Sequence, residues 1–110
     1  MHPDDFNYFD IHSHLNFPEF DGDREAVIAQ MAAEKVGTIT VGTNLETSRQ
    51  AIALAERHPR LFFASVGIHP LEIEEVGAGN ESEAAIESAY AGMCAELTEL
   101  AKSDSVVAIG

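Results

Sequence analysis

Residues 38–48 read Thr-Ile-Thr-Val-Gly-Thr-Asn-Leu-Glu-Thr-Ser, and this stretch decides the class of the fold. The first four residues are all β-branched, which favours a β-strand. The segment Thr43-Asn44-Leu45-Glu46 then has the spacing of a helix capping box. We therefore predict a strand over residues 38–41 and a helix from about Asn44 to His58, where Pro59 prevents the helix from extending.

The same alternation of strand and helix continues in both directions along the chain. Apolar runs predict further strands at residues 8–11, 61–66 and 106–109. One helix is expected between Asp21-Gly22-Asp23 and Gly37, and another from Asn80 to about Ser103. The second of these has an apolar face that recurs at helical spacing, formed by Ile86, Tyr90, Met93, Leu97 and Leu100. Strands separated by helical crossovers predict a parallel α/β sheet with right-handed connections, buried on both faces.

Four such strands in 110 residues fit two architectures. One is a small open sheet, and the other is the N-terminal half of a TIM-type (β/α)8 barrel, for which about 250 residues are typical. A fourth strand without a helix after it would leave a parallel edge partly uncovered. We therefore expect residues 1–110 to form one partial barrel domain that is truncated after the fourth strand.

The composition limits the classes of partner. Six basic and nineteen acidic residues give a net charge of -13, which disfavours non-specific binding to polyanions, so any contact with nucleic acid must be local. The single cysteine, Cys94, cannot form an internal disulfide, which is typical of a reducing compartment. Residues 1–5 have no basic leader character, and no apolar run approaches the roughly 18 residues of a membrane helix. The expectation is a cytoplasmic protein without a membrane partner.

The candidate chemistry begins in Asp10-Ile11-His12-Ser13-His14, at the carboxyl end of the first strand. Loops at this end of parallel strands carry the functional groups of such folds. Residues two apart in an extended chain point the same way, so His12 and His14 could converge on one metal ion at about 2.1 Å each. Asp10 lies on the same side and could orient an imidazole. The alternative is that the pair occurs by chance and plays a structural role.

A second candidate follows the third strand, in Gly67-Ile68-His69-Pro70. Pro70 biases His69 toward an extended conformation, which would present its imidazole to the same rim as the first two histidines. A contact with a substrate or a phosphate is one interpretation. The other is a tight turn marked by Gly67 and Pro70, in which His69 is incidental.

Taken together, these motifs resemble the TatD family of metal-dependent deoxyribonucleases, within the amidohydrolase-like barrels. The resemblance covers nearly the whole chain. It rests on the order of five segments: Asp10-Ile-His-Ser-His-Leu-Asn-Phe17, Phe20-Asp-Gly-Asp-Arg24, Val41-Gly-Thr-Asn-Leu-Glu-Thr-Ser48, Val66-Gly-Ile-His-Pro70 and Val106-Val-Ala-Ile-Gly110. It implies a complete (β/α)8 barrel, of which this chain resembles the N-terminal half.

The resemblance also implies roles for individual residues. His12 and His14 match the first two metal ligands of the family, and His69 matches a histidine that faces the substrate phosphate. One or two divalent ions (Mg2+, Mn2+ or Zn2+) would serve hydrolysis of DNA phosphodiester bonds, with DNA ends or a small phosphodiester as the partner and no protein partner expected. The family continues after Gly110 with a bridging glutamate, and later with two histidines and an aspartate. Without these ligands, the 110-residue chain is expected to be inactive.

Two alternatives stay open from the sequence. A related barrel of the amidohydrolase type could use the same histidine pair on another ester or on a cyclic amide. A truncated half-barrel could also be catalytically silent and self-associate through its sheet edges.

Overall fold

The computed structural model describes residues 6–69, 71 and 82–110 of the chain. Strands and α-helices alternate along these residues, with one short 3-10 helix at Pro18–Phe20. The elements in chain order are β1 Tyr8–Ser13, α1 Arg24–Glu34, β2 Val36–Val41, α2 Leu45–Arg57, β3 Phe62–Val66, α3 Glu83–Leu100 and β4 Val106–Ile109.

The four strands form one parallel sheet in the order β1-β2-β3-β4. Each crossover therefore moves the chain one strand further in the same direction. A doubly wound sheet reverses that direction at a switch point, whereas a barrel keeps it. The predicted fold class is confirmed: these are four parallel strands and three helices of an α/β protein, in the winding of the N-terminal half of a TIM-type barrel.

The core lies between α2 and the middle of the sheet. Ala51 and Ala55 on α2 are fully buried, and their small side chains let the helix pack closely on β3. The β3 side chains Phe62, Ala64 and Val66 are fully buried against them. Leu15, Ile28, Ile52 and Leu54 complete the cluster of buried apolar side chains. Burial in this structure is therefore concentrated at the centre of the sheet.

The predicted element boundaries need small corrections. Strand β1 runs two residues beyond the prediction, to Ser13, and β2 begins at Val36. Helix α1 ends at Glu34 because Lys35 adopts the left-handed conformation, with φ 54°. Gly37 does not end this helix; it lies in β2, where an added Cβ would meet the Phe6 ring 2.5 Å away. Close approach of an aromatic ring therefore explains the glycine.

The capping box of α2 is present, but it is shifted by one residue from the prediction. Asn44 is the N-cap, and its side chain accepts a hydrogen bond of 2.8 Å from the Thr47 backbone N–H. The Thr47 hydroxyl accepts in return from the Asn44 backbone N–H at 3.0 Å. For α3 the N-cap is Ser82, which accepts from Ala85 N at 3.2 Å; the predicted cap Asn80 lies outside the described residues.

The prediction that all strands are buried on both faces is wrong for the outer two. Ile11 on β1 is 74% exposed, and Ile109 on β4 is 70% exposed. On the predicted apolar face of α3, Leu97 and Leu100 pack against the core, and no side chain of that helix is fully buried. Within the described part of the chain, no helix combines the length and apolar character needed to cross a membrane.

Candidate metal centre

A β-bulge near the end of β1 includes His12. Asp10 pairs with Thr38 of β2, but the next pair is Ser13 with Thr40, so β1 has one more residue than β2 over this interval. The Ser13 hydroxyl accepts a hydrogen bond of 2.8 Å from Thr38 Oγ1. Bulges commonly re-aim side chains beside functional sites. His12 lies within this bulged interval of β1.

The two predicted metal ligands lie side by side. Nε2 of His12 and Nε2 of His14 are 3.2 Å apart, and their ring centroids are 4.9 Å apart at an interplanar angle of 86°. Two nitrogens at this separation, each about 2.1 Å from one ion, would subtend about 100° at that ion, between the octahedral and tetrahedral angles. The pair therefore fits a shared divalent ion. Within the described residues, no third His, Cys, Asp or Glu side chain joins the pair.

Asp10 does not orient an imidazole as the sequence suggested. Its Oδ1 accepts a hydrogen bond of 2.9 Å from the His12 backbone N–H, so the carboxylate supports the bulge rather than the ring. Nδ1 of His14 is buried, and none of the described groups forms a hydrogen bond with it. The His14 ring is instead held by packing on the Phe17 ring, with centroids 4.4 Å apart.

His69 lies at the carboxyl end of β3, and its ring has a defined tautomer when neutral. Its backbone N–H donates to the Thr43 carbonyl at 2.7 Å, which ties the loop after β3 to the loop after β2. Its Nδ1 accepts from the Leu71 backbone N–H at 3.1 Å. The proton of the neutral ring is therefore on Nε2, which leaves the exposed His69 side chain as a hydrogen-bond donor.

One cavity of about 440 Å³ brings the three predicted histidines together. It opens at the end of the sheet where the carboxyl ends of the parallel strands meet, which is where barrel enzymes place their active sites. Besides His12, His14 and His69, its lining includes Phe17, Val41, Gly42, Thr43, Ile68, Leu71 and Gly110. The topology thus places the three side chains in one site, while their roles stay predictions.

Sequence reasoning missed two features of this site. Phe17, which packs on His14, was not among the candidate site residues, although its position three residues after His14 is the spacing of a tight turn. Thr43 was expected to serve only as a helix cap, and its carbonyl also fixes the His69 backbone. No motif signals a backbone carbonyl in such a role, so the second feature required the structure.

Comparison with known proteins agrees with this arrangement. The model of the TatD-related DNase family matches residues 9–110. A protein of Musicola paradisiaca named 3'-5' ssDNA/RNA exonuclease TatD is 38% identical over 103 residues, which cover 93% of this chain and 34% of that protein. An uncharacterized metal-dependent hydrolase of Mycoplasma pneumoniae is 40% identical over 67 residues, covering 61% of this chain and 26% of the relative.

The chain thus spans about a third of the Musicola relative and about a quarter of the Mycoplasma one. The family match begins at the second residue of β1 and extends one residue beyond β4, so it covers the strands and helices of the described residues, apart from Tyr8, and all three histidines of the cavity. On the extent of this match, the chain belongs to the TatD-related DNase family.

Proposed function

We propose that His12 and His14 are two ligands of a divalent metal ion in a hydrolase that cleaves phosphodiester bonds at DNA ends. The observation that carries this proposal is the 3.2 Å separation of their Nε2 atoms, at the carboxyl end of a parallel sheet. Family membership supports it, as do relatives named exonuclease and metal-dependent hydrolase.

The donor set favours some ions over others. Imidazole suits Zn2+ better than Mg2+ or Mn2+, which prefer carboxylate, carbonyl and water oxygens. Catalytic zinc sites hold three protein ligands and keep one position open, whereas the described residues supply two. A zinc site of this kind would therefore need a further protein ligand besides His12 and His14. A divalent ion held by His12 and His14 would polarise phosphoryl oxygens and lower the pKa of a bound water toward neutrality.

His69 has a separate role in this proposal. Because its neutral ring carries the proton on Nε2, it can donate a hydrogen bond to a non-bridging phosphate oxygen. None of the described residues around the cavity is Lys or Arg. A phosphate in the cavity would therefore be recognised by the metal and by His69 rather than by fixed basic charge.

The charge of the chain supports action at an end of the substrate. Binding along duplex DNA depends on Lys and Arg neutralising many phosphates. With a net charge of -13, this chain is poorly suited to such contacts. A strand end needs only a few local contacts, so we propose exonucleolytic cleavage, with DNA ends or a small phosphodiester as the substrate.

The test uses a chimera, because the chain spans about a third of the Musicola relative. Residues 1–110 are joined to the part of that exonuclease that follows its matched region, and 3'-labelled single-stranded DNA is incubated with Zn2+, Mn2+ or Mg2+. We expect metal-dependent release of nucleotides from the end, and loss of at least 100-fold in rate in His12→Ala and His14→Ala. His58→Ala is the matched control, because His58 caps α2 and does not line the cavity.

Other outcomes would contradict the proposal. Cleavage that persists unchanged without both histidines would remove their assigned role. Hydrolysis of cyclic amides or phosphate monoesters, with DNA left intact, would favour an amidohydrolase-type reaction at the same site. A folded chimera without any hydrolytic activity would favour the catalytically silent alternative.

A further inference from the structure

We propose that Arg24 is a positioning residue that holds His14 in its metal-binding arrangement, with Asn16 as a second anchor. This inference rests on the proposed function, because it assigns both residues a purpose at the same site. Neither side chain reaches a ring nitrogen of the histidine pair; both act through the turn that carries His14.

The two histidines are held by different means. His12 lies inside β1, where the sheet fixes its backbone. His14 lies one residue beyond the end of β1, in a turn closed by a hydrogen bond of 2.9 Å from Phe17 N–H to the His14 carbonyl. No strand pairing fixes this turn in the described structure, because the last residue of β1 paired with β2 is Ser13. The orientation of His14 must therefore come from contacts made by the turn itself.

Arg24 supplies two of these contacts from the first residue of α1. Its Nε donates to the Leu15 carbonyl at 2.5 Å, and its Nη2 donates to the Phe17 carbonyl at 2.6 Å. Asp21 accepts from the same Nη2 at 2.8 Å and so orients the guanidinium. The arginine side chain is only 20% exposed. Hydrogen bonds from a charged donor are stronger than neutral ones, and the planar guanidinium holds both carbonyls at once.

These contacts act on the ring of His14 through Phe17. The guanidinium fixes the backbone on both sides of Asn16, and the Phe17 ring packs on the His14 ring with centroids 4.4 Å apart. Nδ1 of His14 has no hydrogen-bond partner among the described groups, so the ring is restrained by this packing and by the 3.2 Å contact of its Nε2 with His12 Nε2. Loss of the hydrogen bond from Arg24 to the Phe17 carbonyl would therefore allow the His14 imidazole to reorient.

Asn16 anchors the same turn to β2 and α2. Its amide donates to the Thr47 carbonyl of α2 at 2.9 Å, and its Oδ1 accepts from Thr40 Oγ1 of β2 at 2.7 Å. The side chain is 6% exposed, and Thr40 is fully buried. The turn is thus tied to α1, β2 and α2 by two side chains. Loss of groups that hydrogen-bond a metal-ligating histidine directly typically costs about 10- to 100-fold in metal affinity, and we expect an effect at the lower end of this range for contacts that act through the backbone of the turn.

The test compares Arg24→Lys with the wild-type 110-residue chain. Lysine keeps the charge but cannot hold the two carbonyls with one planar group. In the metal-free protein, we expect the His14 ring protons to lose the ring-current shift caused by Phe17, while His12 changes little. With Zn2+ as the probe, we expect at least tenfold weaker binding, measured by competition with a chromophoric chelator.

Two control variants separate positioning from general loss of stability. Arg57→Lys makes the same chemical change at an exposed arginine that pairs with Glu25. Ser82→Ala removes the N-cap of α3, far from the turn in sequence, at a cost of about 1 kcal/mol. Both controls should keep wild-type Zn2+ affinity and the wild-type His14 shift. If either control weakens binding as much as Arg24→Lys does, the effect is general and the inference is overturned.

The readouts also separate this inference from the proposed function. An unchanged His14 shift, or unchanged Zn2+ affinity with a wild type that binds, overturns the positioning role of Arg24 alone. A wild type that binds no Zn2+ overturns the proposed metal site, while the ring shift still shows whether Arg24 holds His14. If Arg24→Lys does not fold, Asn16→Ser takes its place, with the same expected shift and loss of affinity.

Discussion

The centre of the sheet and its outer strands are stabilised in different ways. The β3 side chains Phe62, Ala64 and Val66 have no exposed surface, whereas Ile11 of β1 and Ile109 of β4 are about three-quarters exposed. The candidate metal ligands belong to the exposed region. There the backbone is shaped by a bulge, a tight turn and specific hydrogen bonds instead of burial. The comparison shows that packing stabilises the centre of the sheet, whereas local polar contacts position the candidate metal ligands at its edge.

The largest expected effect is in the centre. Truncating Phe62→Ala removes a fully buried ring from β3 and leaves a cavity beneath α2. We expect the free energy of unfolding to fall by about 3–5 kcal/mol. Urea denaturation measures the change, with Tyr8→Ala as the control, because Tyr8 is an aromatic side chain on β1 with 76% exposure. A similar loss in both variants would break the contrast between centre and edge.

Two glycines, Gly42 and Gly22, provide a second comparison between a closely packed position and an open one. A Cβ at Gly42 would collide with the Ser48 hydroxyl and approach the Ser48 Cα to 2.5 Å, where α2 lies closest to the end of β2. Gly42→Ala should destabilise the chain by about 1–3 kcal/mol through overpacking. A Cβ at Gly22 meets no atom of the described structure within 4 Å. Thermal unfolding should therefore leave Gly22→Ala close to the wild type, and equal losses would contradict the close helix–sheet approach.

A smaller effect tests the register of the α2 capping box. Asn44→Ala removes the acceptor for the Thr47 backbone N–H and should cost about 1 kcal/mol. Glu46→Ala should cost less than about 0.5 kcal/mol, because Glu46 is exposed and is not the reciprocal partner in the box. Comparing the two denaturation midpoints decides between the observed box and the one expected from sequence. A larger loss in Glu46→Ala would support the latter.

The sequence was sufficient to predict the order of strands and helices. It was not sufficient to predict the exposure of β1 or its bulge, for physical reasons. Local propensity and apolar runs located β4 at its observed bounds and α2 to within one residue at each end. Exposure of β1 could not be predicted, because its apolar residues look the same whether a neighbour covers them or not. The bulge depends on pairing with β2, which lies more than 20 residues away in the chain.

For the candidate site, too, some features could be predicted from the sequence and others could not. The spacing of His12 and His14 and the position of His69 after a strand were enough to predict that the three share one rim, and one cavity contains them. The hydrogen bond from the His12 backbone N–H to Asp10 could not be predicted from alternation, because the β-bulge between Asp10 and Ser13 interrupts the regular pairing of β1 with β2. The contacts of Arg24 with two backbone carbonyls have no sequence signature.

The smallest expected effect concerns the outer surface of β4. Replacing Ile109→Ser changes a side chain that is 70% exposed, so the free energy of unfolding should change by less than about 0.5 kcal/mol. Denaturant titration of the 110-residue chain measures this directly. A loss of several kcal/mol would mean that Ile109 is buried in solution, and the open-edge description of β4 would then be wrong.

The central claim is that His12 and His14 share one divalent ion, and nitrogen NMR of the imidazoles during Zn2+ titration tests it most directly. We expect the Nε2 signals of both residues to move together and saturate at one ion per chain, with His58 and His69 unchanged. Either His12→Ala or His14→Ala should abolish the saturable response of the remaining ring. Independent responses of the two rings, or no response at all, would contradict the account.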